Sequence, residues 1–127
     1  MVTQPEVLVL DEATSELDAL MVRKIFEMCD RFNRELGTTI LIVSHEVELL
    51  AQYARRILLM DQGRLVADGP PRQVFSQPEA FEAAGVRLPQ ITQIALDLQA
   101  YVAWPRLPLS EEEAEAELRR LAGPDET

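Results

Sequence analysis

The chain has 127 residues, of which 47% are hydrophobic and 27% charged, a balance typical of a globular domain with its own core. Its 22 acidic side chains outnumber 12 basic ones and give a formal charge of -10, so phosphate-rich nucleic acids would repel it, and we expect no nucleic acid partner. No apolar run approaches the roughly 20 residues that cross a bilayer, so any work at a membrane would need another subunit to span it.

The first elements predicted along the chain form a β-α-β unit. Two short apolar runs, Val7 to Leu10 and Thr39 to Val43, are rich in β-branched residues and predict buried parallel strands. Between them, apolar residues recur at steps of three and four, which predicts an amphipathic helix that stops at Gly37. Cys29, the one cysteine, falls in that helix, where we expect a buried, inert thiol.

A second helix and a hairpin are predicted next. The helix runs from Glu46 to about Ala54, and Ile57 to Met60 follows as a third apolar strand. Turn residues at Asp61 to Arg64 then predict that Leu65 to Ala67 returns as the antiparallel arm of a hairpin.

The remainder of the chain shows no strand pattern. Its prolines divide it into short helical pieces, predicted at Pro78 to Ala84, Thr92 to Tyr101 and Ser110 to Leu121. Ser110 followed three residues later by Glu113 is a capping-box pattern at the start of the last helix. An apolar stripe on that helix is formed by Ala114, Leu118 and Leu121.

Polar side chains with chemical potential follow the first two strands. Asp11 and Glu12 end the first strand, and His45 follows the second. Because neighbouring strands lie about 4.8 Å apart, the histidine is expected close to the carboxylates. One acid there can hold Mg²⁺ that bridges nucleotide phosphates, and the other can orient an attacking water. Taken singly, each has a plain alternative: a solvated strand end for the acids and a structural role for the histidine.

Three linked motifs carry a family resemblance over roughly residues 4 to 75. The run LVLDEATSELD is similar to the Walker B strand and D-loop of ABC-type ATPases, and IVSHE to their switch-histidine segment. The run LLMDQGRLVADGPP resembles the strand, turn and strand that end the ATP-binding domain of ABC transporters. The resemblance implies an α/β fold: the C-terminal part of a P-loop NTPase domain of ABC type, with parallel strands, a terminal hairpin and a small helical tail.

The same resemblance implies roles for individual residues, with ATP and Mg²⁺ as cofactors of the complete domain. Asp11 would organise the magnesium ion, and Glu12 would act as general base or orient the water. His45 would contact the γ-phosphate. Ser15 and Asp18 would belong to the D-loop, which meets the opposing subunit across the nucleotide.

Two motifs of the family are missing from these 127 residues. A phosphate-binding loop has the pattern G-x-x-x-x-G-K-[ST], but Lys24 is the one lysine and no glycine precedes it. The signature motif is missing too, because no two of the five glycines are adjacent. We therefore expect a truncated chain: a partial ATPase core at 1–75 and a helical extension at 76–127, with apolar surface exposed and no productive ATP binding by the chain alone.

The C-terminal third resembles one branch of the family. Residues 75–81 and 84–92 are similar to the tail of ATPase subunits from energy-coupling-factor transporters, which import vitamins and cobalt or nickel ions. In those proteins the tail helps two ATPase subunits associate. An ordinary helical cap over the sheet is the alternative interpretation.

These observations lead to three hypotheses about function. The first is the C-terminal portion of an ABC transporter ATP-binding protein, of energy-coupling-factor type, that couples ATP hydrolysis to import. Its partners would be a second ABC ATPase subunit and integral membrane subunits, which would hold it on the cytoplasmic face of the cell membrane. The alternative is a non-catalytic fragment that pairs with a complete ABC ATPase subunit. An ABC-type ATPase of DNA repair is disfavoured by the acidic charge.

Overall fold

The computed structural model describes residues 6–12 and 17–123 and has a mixed α/β architecture. Within those residues the elements follow in this order: β1 (Val7–Asp11), α1 (Ala19–Leu36), β2 (Thr39–Val43), α2 (Val47–Tyr53), β3 (Ile57–Asp61), β4 (Arg64–Gly69), α3 (Pro71–Val74), α4 (Pro78–Ala84), α5 (Gln90–Asp97) and α6 (Glu111–Ala122).

The four strands form two separate pairs. β1 and β2 are parallel, with Val7 opposite Thr39 and Asp11 opposite Val43, so both strands end at the same edge. β3 and β4 form the predicted antiparallel hairpin. Its turn places Gln62 and Gly63 at φ 50° and 77°, the left-handed conformation that tight hairpins require at both central positions.

Both ends of helix α1 are fixed by local features of the chain, and the predicted stop at Gly37 is confirmed. The Asp18 side chain caps the N-terminus by accepting a 2.9 Å hydrogen bond from the Met21 backbone amide. Gly37 ends the helix in the left-handed conformation. Cys29 is buried as expected, and burial raises the pKa of its thiol.

The main hydrophobic core lies under the hairpin and is shared with the helices that follow it. Its buried members come from α2, the hairpin, α3, α4 and the loops of the tail: Ala51, Ile57, Leu59, Ala67, Val74, Phe75, Phe81, Leu88 and Leu109. A smaller cluster joins α1 to α2 through Val22, Phe26 and Leu49. Helix α2 therefore packs against both clusters. The division of the chain at residue 75 stays a prediction.

The first two strands are less buried than predicted. On the outer face of the pair, Val7 and Val9 are 57% and 55% exposed, and Leu41 and Val43 are 45% and 46% exposed. Only the alternate residues, on the face towards the helices, are partly buried. A parallel sheet is normally covered on both faces, and in this chain helices cover one of them.

The tail departs from its predicted pattern in two places. Helix α5 begins at Gln90, directly after Pro89, and ends at Asp97, before the predicted end at Tyr101. On α6 the apolar stripe is wrong beyond Ala114: Leu118 and Leu121 are 49% and 44% exposed, whereas Glu117 is only 5% exposed.

The predicted capping box of α6 forms in part. Ser110 Oγ accepts a hydrogen bond from the Glu113 amide at 3.1 Å, as predicted. The Glu113 carboxylate accepts from the amide of Leu109, at 2.8 Å, and from the guanidinium of Arg72. The donors to the Glu113 carboxylate therefore come from residues outside the capping-box motif.

Candidate functional site

The site begins where β1 runs out. Because Asp11 pairs with Val43, the next residue, Glu12, lies at the shared end of the two parallel strands. The Glu12 amide still donates to the Val43 carbonyl at 2.9 Å, which continues the ladder by one residue. Its φ of 55° then turns the chain out of the strand direction. Glu12 is thus held by the sheet at its amide while its backbone makes a sharp turn.

His45 is placed by the turn from β2 into α2. Ser44 Oγ accepts a hydrogen bond from the Glu46 amide at 3.0 Å, and the Val47 amide donates to the His45 carbonyl at 2.9 Å. The backbone on both sides of the histidine is therefore fixed by local hydrogen bonds.

The structure brings Glu12 and His45 together. His45 Nε2 lies 3.4 Å from Glu12 Oε1, an approach that becomes an ion pair when the imidazole carries its second proton. The histidine side chain is 82% exposed and the glutamate side chain 40% exposed, so both have free surface for a ligand. A carboxylate and an imidazole in contact can accept a proton and hydrogen-bond an anionic oxygen at the same point.

The other predicted residues lie in different settings. Asp11 is the exposed last residue of β1, beside Glu12. Asp18 caps α1, so one of its oxygens is engaged with the Met21 amide. Ser15 lies outside the described residues. Of the five predicted side chains, Glu12 and His45 are in direct contact, and Asp11 lies next to Glu12 in the chain.

The two acids suit magnesium bound together with phosphates. Mg²⁺ is usually held by one or two carboxylates, with waters and substrate phosphates as the remaining ligands. Asp11 and Glu12 offer carboxylate oxygens of this kind at one strand end. Within residues 6–12 and 17–123, no group of three or more His, Cys, Asp or Glu side chains could form a metal cage.

A groove of about 660 Å³ lies between Glu48 of α2 and residues of the tail. Arg87 bridges to Glu48 there, with Nη1 2.6 Å from Oε1 and Nη2 2.7 Å from Oε2. The hydrogen bond from Arg87 lowers the pKa of Glu48. The two residues are 39 positions apart, and no periodicity or motif in the sequence indicates that they pair.

None of the helices in the described part of the chain is long and apolar enough to span a membrane.

Comparison with known proteins identifies relatives of one kind. No protein-family model matches the chain. The energy-coupling factor transporter ATP-binding protein EcfA2 of Latilactobacillus sakei is 37% identical over 91% of this chain and 40% of its own length. The protein of the same name from Ligilactobacillus salivarius is 34% identical over 94% of this chain and 42% of its own length.

A solved structure agrees with these matches. CbiO1 of Clostridium perfringens, described as part of the ABC transporter complex CbiONQ, superimposes with a TM-score of 0.53 at 34% identity. The match covers 71% of this chain and 36% of CbiO1. This chain therefore spans about two-fifths of the length of the relatives named here. The likeness confirms the predicted α/β fold of an ABC-type ATPase, and the chain is similar to the C-terminal part of the ATP-binding proteins of ABC transporters.

Proposed function

We propose that this chain carries the Walker B acids and the switch histidine of an ABC ATPase that couples ATP hydrolysis to import across a membrane. The 3.4 Å contact between Glu12 and His45, at the common end of two parallel strands, is the observation that carries the proposal. In open α/β sheets, ligands bind at that end of the strands. The relatives of energy-coupling-factor type favour that branch of the family.

Each residue of the site has a proposed role in the complete domain. Asp11 holds the magnesium ion, which neutralises charge on the phosphates when it is bound. Glu12 accepts a hydrogen bond from the attacking water and orients it. His45 donates a hydrogen bond to the terminal phosphate. Asp18 and Ser15 contribute to the surface that meets a second ATPase subunit.

The 127 residues need further groups to bind ATP productively. Phosphates are held by backbone amides and a lysine in a glycine-rich loop, and these residues contain no such pattern. We propose that the loop comes from another stretch of polypeptide, and that integral membrane subunits place the assembly at the cytoplasmic face of the membrane. The missing loop also favours a second candidate, a non-catalytic fragment that pairs with a complete ABC ATPase.

Turnover by a completed domain tests the proposal. The chain is joined to the N-terminal part of an EcfA2 relative that contains the phosphate-binding loop, and hydrolysis of Mg-ATP is measured. Glu12→Gln and His45→Ala are each expected to lower kcat by about 100-fold or more, because each removes a group that acts on the water or the phosphate.

A matched control separates these roles from general charge effects. Glu35, an exposed glutamate on α1, is changed to glutamine, which removes the same charge away from the site and is expected to leave kcat unchanged. A kcat equal to that of the wild type in both Glu12→Gln and His45→Ala would rule out the proposed roles. Joined protein that folds but never hydrolyses ATP would favour the non-catalytic fragment.

A further inference from the structure

The N-terminal end of α2 lacks a side-chain cap from its N-cap residue. Glu46 stands at the N-cap position, but its side chain makes no capping hydrogen bond. His45 immediately precedes that residue, so movement of the first turn would carry the imidazole away from Glu12. The helix has seven residues and is too short to be stable without tertiary contacts. Contacts with the rest of the molecule must therefore add to the local hydrogen bonds at Ser44 and His45 in holding this turn.

Glu48 provides such a contact from within that turn. Its two oxygens accept the two hydrogen bonds from Arg87, and Oε1 also accepts from the Gln90 amide at 3.3 Å. Glu48 therefore has three donors, two from Arg87 in the connection between α4 and α5 and one from Gln90 at the start of α5. Bidentate pairs of this type fix relative orientation as well as distance.

The two residues that follow Arg87, the donor in this contact, are buried. Leu88, next to Arg87, is 5% exposed, and Pro89 is less than 2% exposed. Leu88 belongs to the same buried cluster as Ala51 of α2. Leu50 packs against that cluster and also against the smaller one with α1. Packing thus holds α2, including Val47 in its first turn at 3% exposure, and Arg87 adds a directed contact at the N-terminal end of the helix.

We propose that Arg87 is a positioning residue: through Glu48 it holds the first turn of α2 so that His45 stays beside Glu12. The tail after residue 76 then takes part in building the site, although no tail residue touches Glu12 or His45 among the described contacts. The effect on turnover rests on the proposed ATPase function, whereas the effect on the geometry of His45 does not. The Arg87 side chain is 58% exposed, so the role concerns orientation more than stability.

The geometry can be tested by NMR on the full chain, since His45 is its one histidine and gives a single set of ring signals. In Arg87→Met, the ring signals of His45 are expected to shift. Hydrogen exchange should accelerate about threefold to tenfold at the Leu50 amide, which bonds the Glu46 carbonyl in the first turn. The Ala54 amide, bonded to Leu50 at the other end of the helix, should keep its rate.

Three further variants complete this test. Glu48→Gln removes the charge of the other partner and should shift the His45 signals and accelerate exchange at Leu50 as Arg87→Met does. Arg87→Lys keeps the positive charge and should show smaller changes than Arg87→Met. Arg56→Met breaks another bidentate pair, with Asp68 of the hairpin, in which both hydrogen bonds are 2.7 Å long, and should leave His45 and Leu50 unchanged. Equal acceleration at Leu50 and Ala54, or an unmoved His45 signal in both Arg87→Met and Glu48→Gln, would overturn the proposal.

Turnover of the joined domain provides the second test. Arg87→Met is expected to lower kcat about threefold to tenfold with KM for ATP nearly unchanged, because the nucleotide-binding loop is untouched while the histidine is displaced. Unchanged kcat in an active domain would contradict the positioning role. An inactive wild-type domain would instead contradict the proposed function, and the NMR test would still decide the inference.

Discussion

At the scale of single residues, Glu12 combines a chemical role with an unfavourable backbone conformation. Its φ of 55° lies in the left-handed region, which costs a residue with a side chain about 1 kcal/mol relative to glycine. We therefore expect Glu12→Gly to be more stable than Glu12→Ala by about 1 kcal/mol. Both variants lose the same carboxylate, so the contact with His45 cancels in the comparison. Urea unfolding of the two variants measures the difference.

Two other positions serve as controls for this prediction. Gln62, in the hairpin turn, has φ 50°, so glycine should again exceed alanine in stability. Arg31 lies in the interior of α1 and is exposed, and there glycine should be less stable than alanine by about 1 kcal/mol. Glycine that destabilises position 12 as it does position 31 would show that Glu12 is not in the left-handed conformation.

At the scale of elements, local sequence patterns predicted the bounds of an element correctly where interactions between residues close in the chain determine those bounds. Strand β2 and helix α4 have the bounds that were predicted, and Gly37 ends α1. Helix α3 was missed because a single turn of four residues has no periodicity to detect. The two strand pairs could not be predicted as separate sheets, since pairing depends on what lies beside each strand in space.

The candidate site was predictable in part for the same reason. The proximity of Glu12 and His45 was predictable because parallel strands end at one edge, a rule that needs only the order of elements. The link between Glu48 and Arg87 was not found, because it joins elements that touch only after the tail has folded back. The inverted pattern of α6, with Glu117 buried, likewise depends on packing that the helix alone does not specify.

The tail is fastened to the hairpin side of the molecule by Arg72. Its guanidinium makes two 2.7 Å hydrogen bonds to the Glu113 carboxylate at the start of α6, and its Nε donates to the Leu107 carbonyl at 3.0 Å. We expect Arg72→Met to lower the free energy of unfolding by about 1 kcal/mol, a value reduced for the partial exposure of the pair. Glu115→Gln, which breaks an exposed pair with Arg119 on α6, should cost far less. Chemical denaturation compares the two.

The same carboxylate should make stability depend on pH. Burial raises the pKa of Glu113, but the Leu109 amide and the Arg72 guanidinium lower it by more, so the net shift is downward. Its stabilising contribution is therefore present above the unfolded pKa of about 4.3 and is lost as the pH falls through the lower folded value. Glu113→Gln should flatten the loss of stability below about pH 4.3. An unchanged acid profile in this variant would contradict the assignment.

At the scale of the whole molecule, the outer face of the β1–β2 pair exposes apolar side chains that a parallel sheet normally buries. Four apolar side chains from two paired strands are about half exposed there: Val7, Val9, Leu41 and Val43. Contiguous apolar surface of this kind on a parallel sheet is normally covered by another layer. The relatives have more than half of their length outside the part that this chain matches. The proposed function therefore predicts that polypeptide containing the phosphate-binding loop covers this face.

Val9→Lys tests that prediction, because a charge on the outer face should prevent covering while changing the chain itself little. Since Val9 is 55% exposed, we expect the stability of the isolated chain to change by less than about 0.5 kcal/mol. Co-expressed with a separate N-terminal part of an EcfA2 relative, wild-type chain should be recovered as a complex by size-exclusion chromatography, and Val9→Lys should not. Leu121→Lys places the same charge at a 44% exposed apolar position on α6 and should leave the complex intact. Equal recovery of the two variants would mean that the β1–β2 face is not where the remaining polypeptide docks.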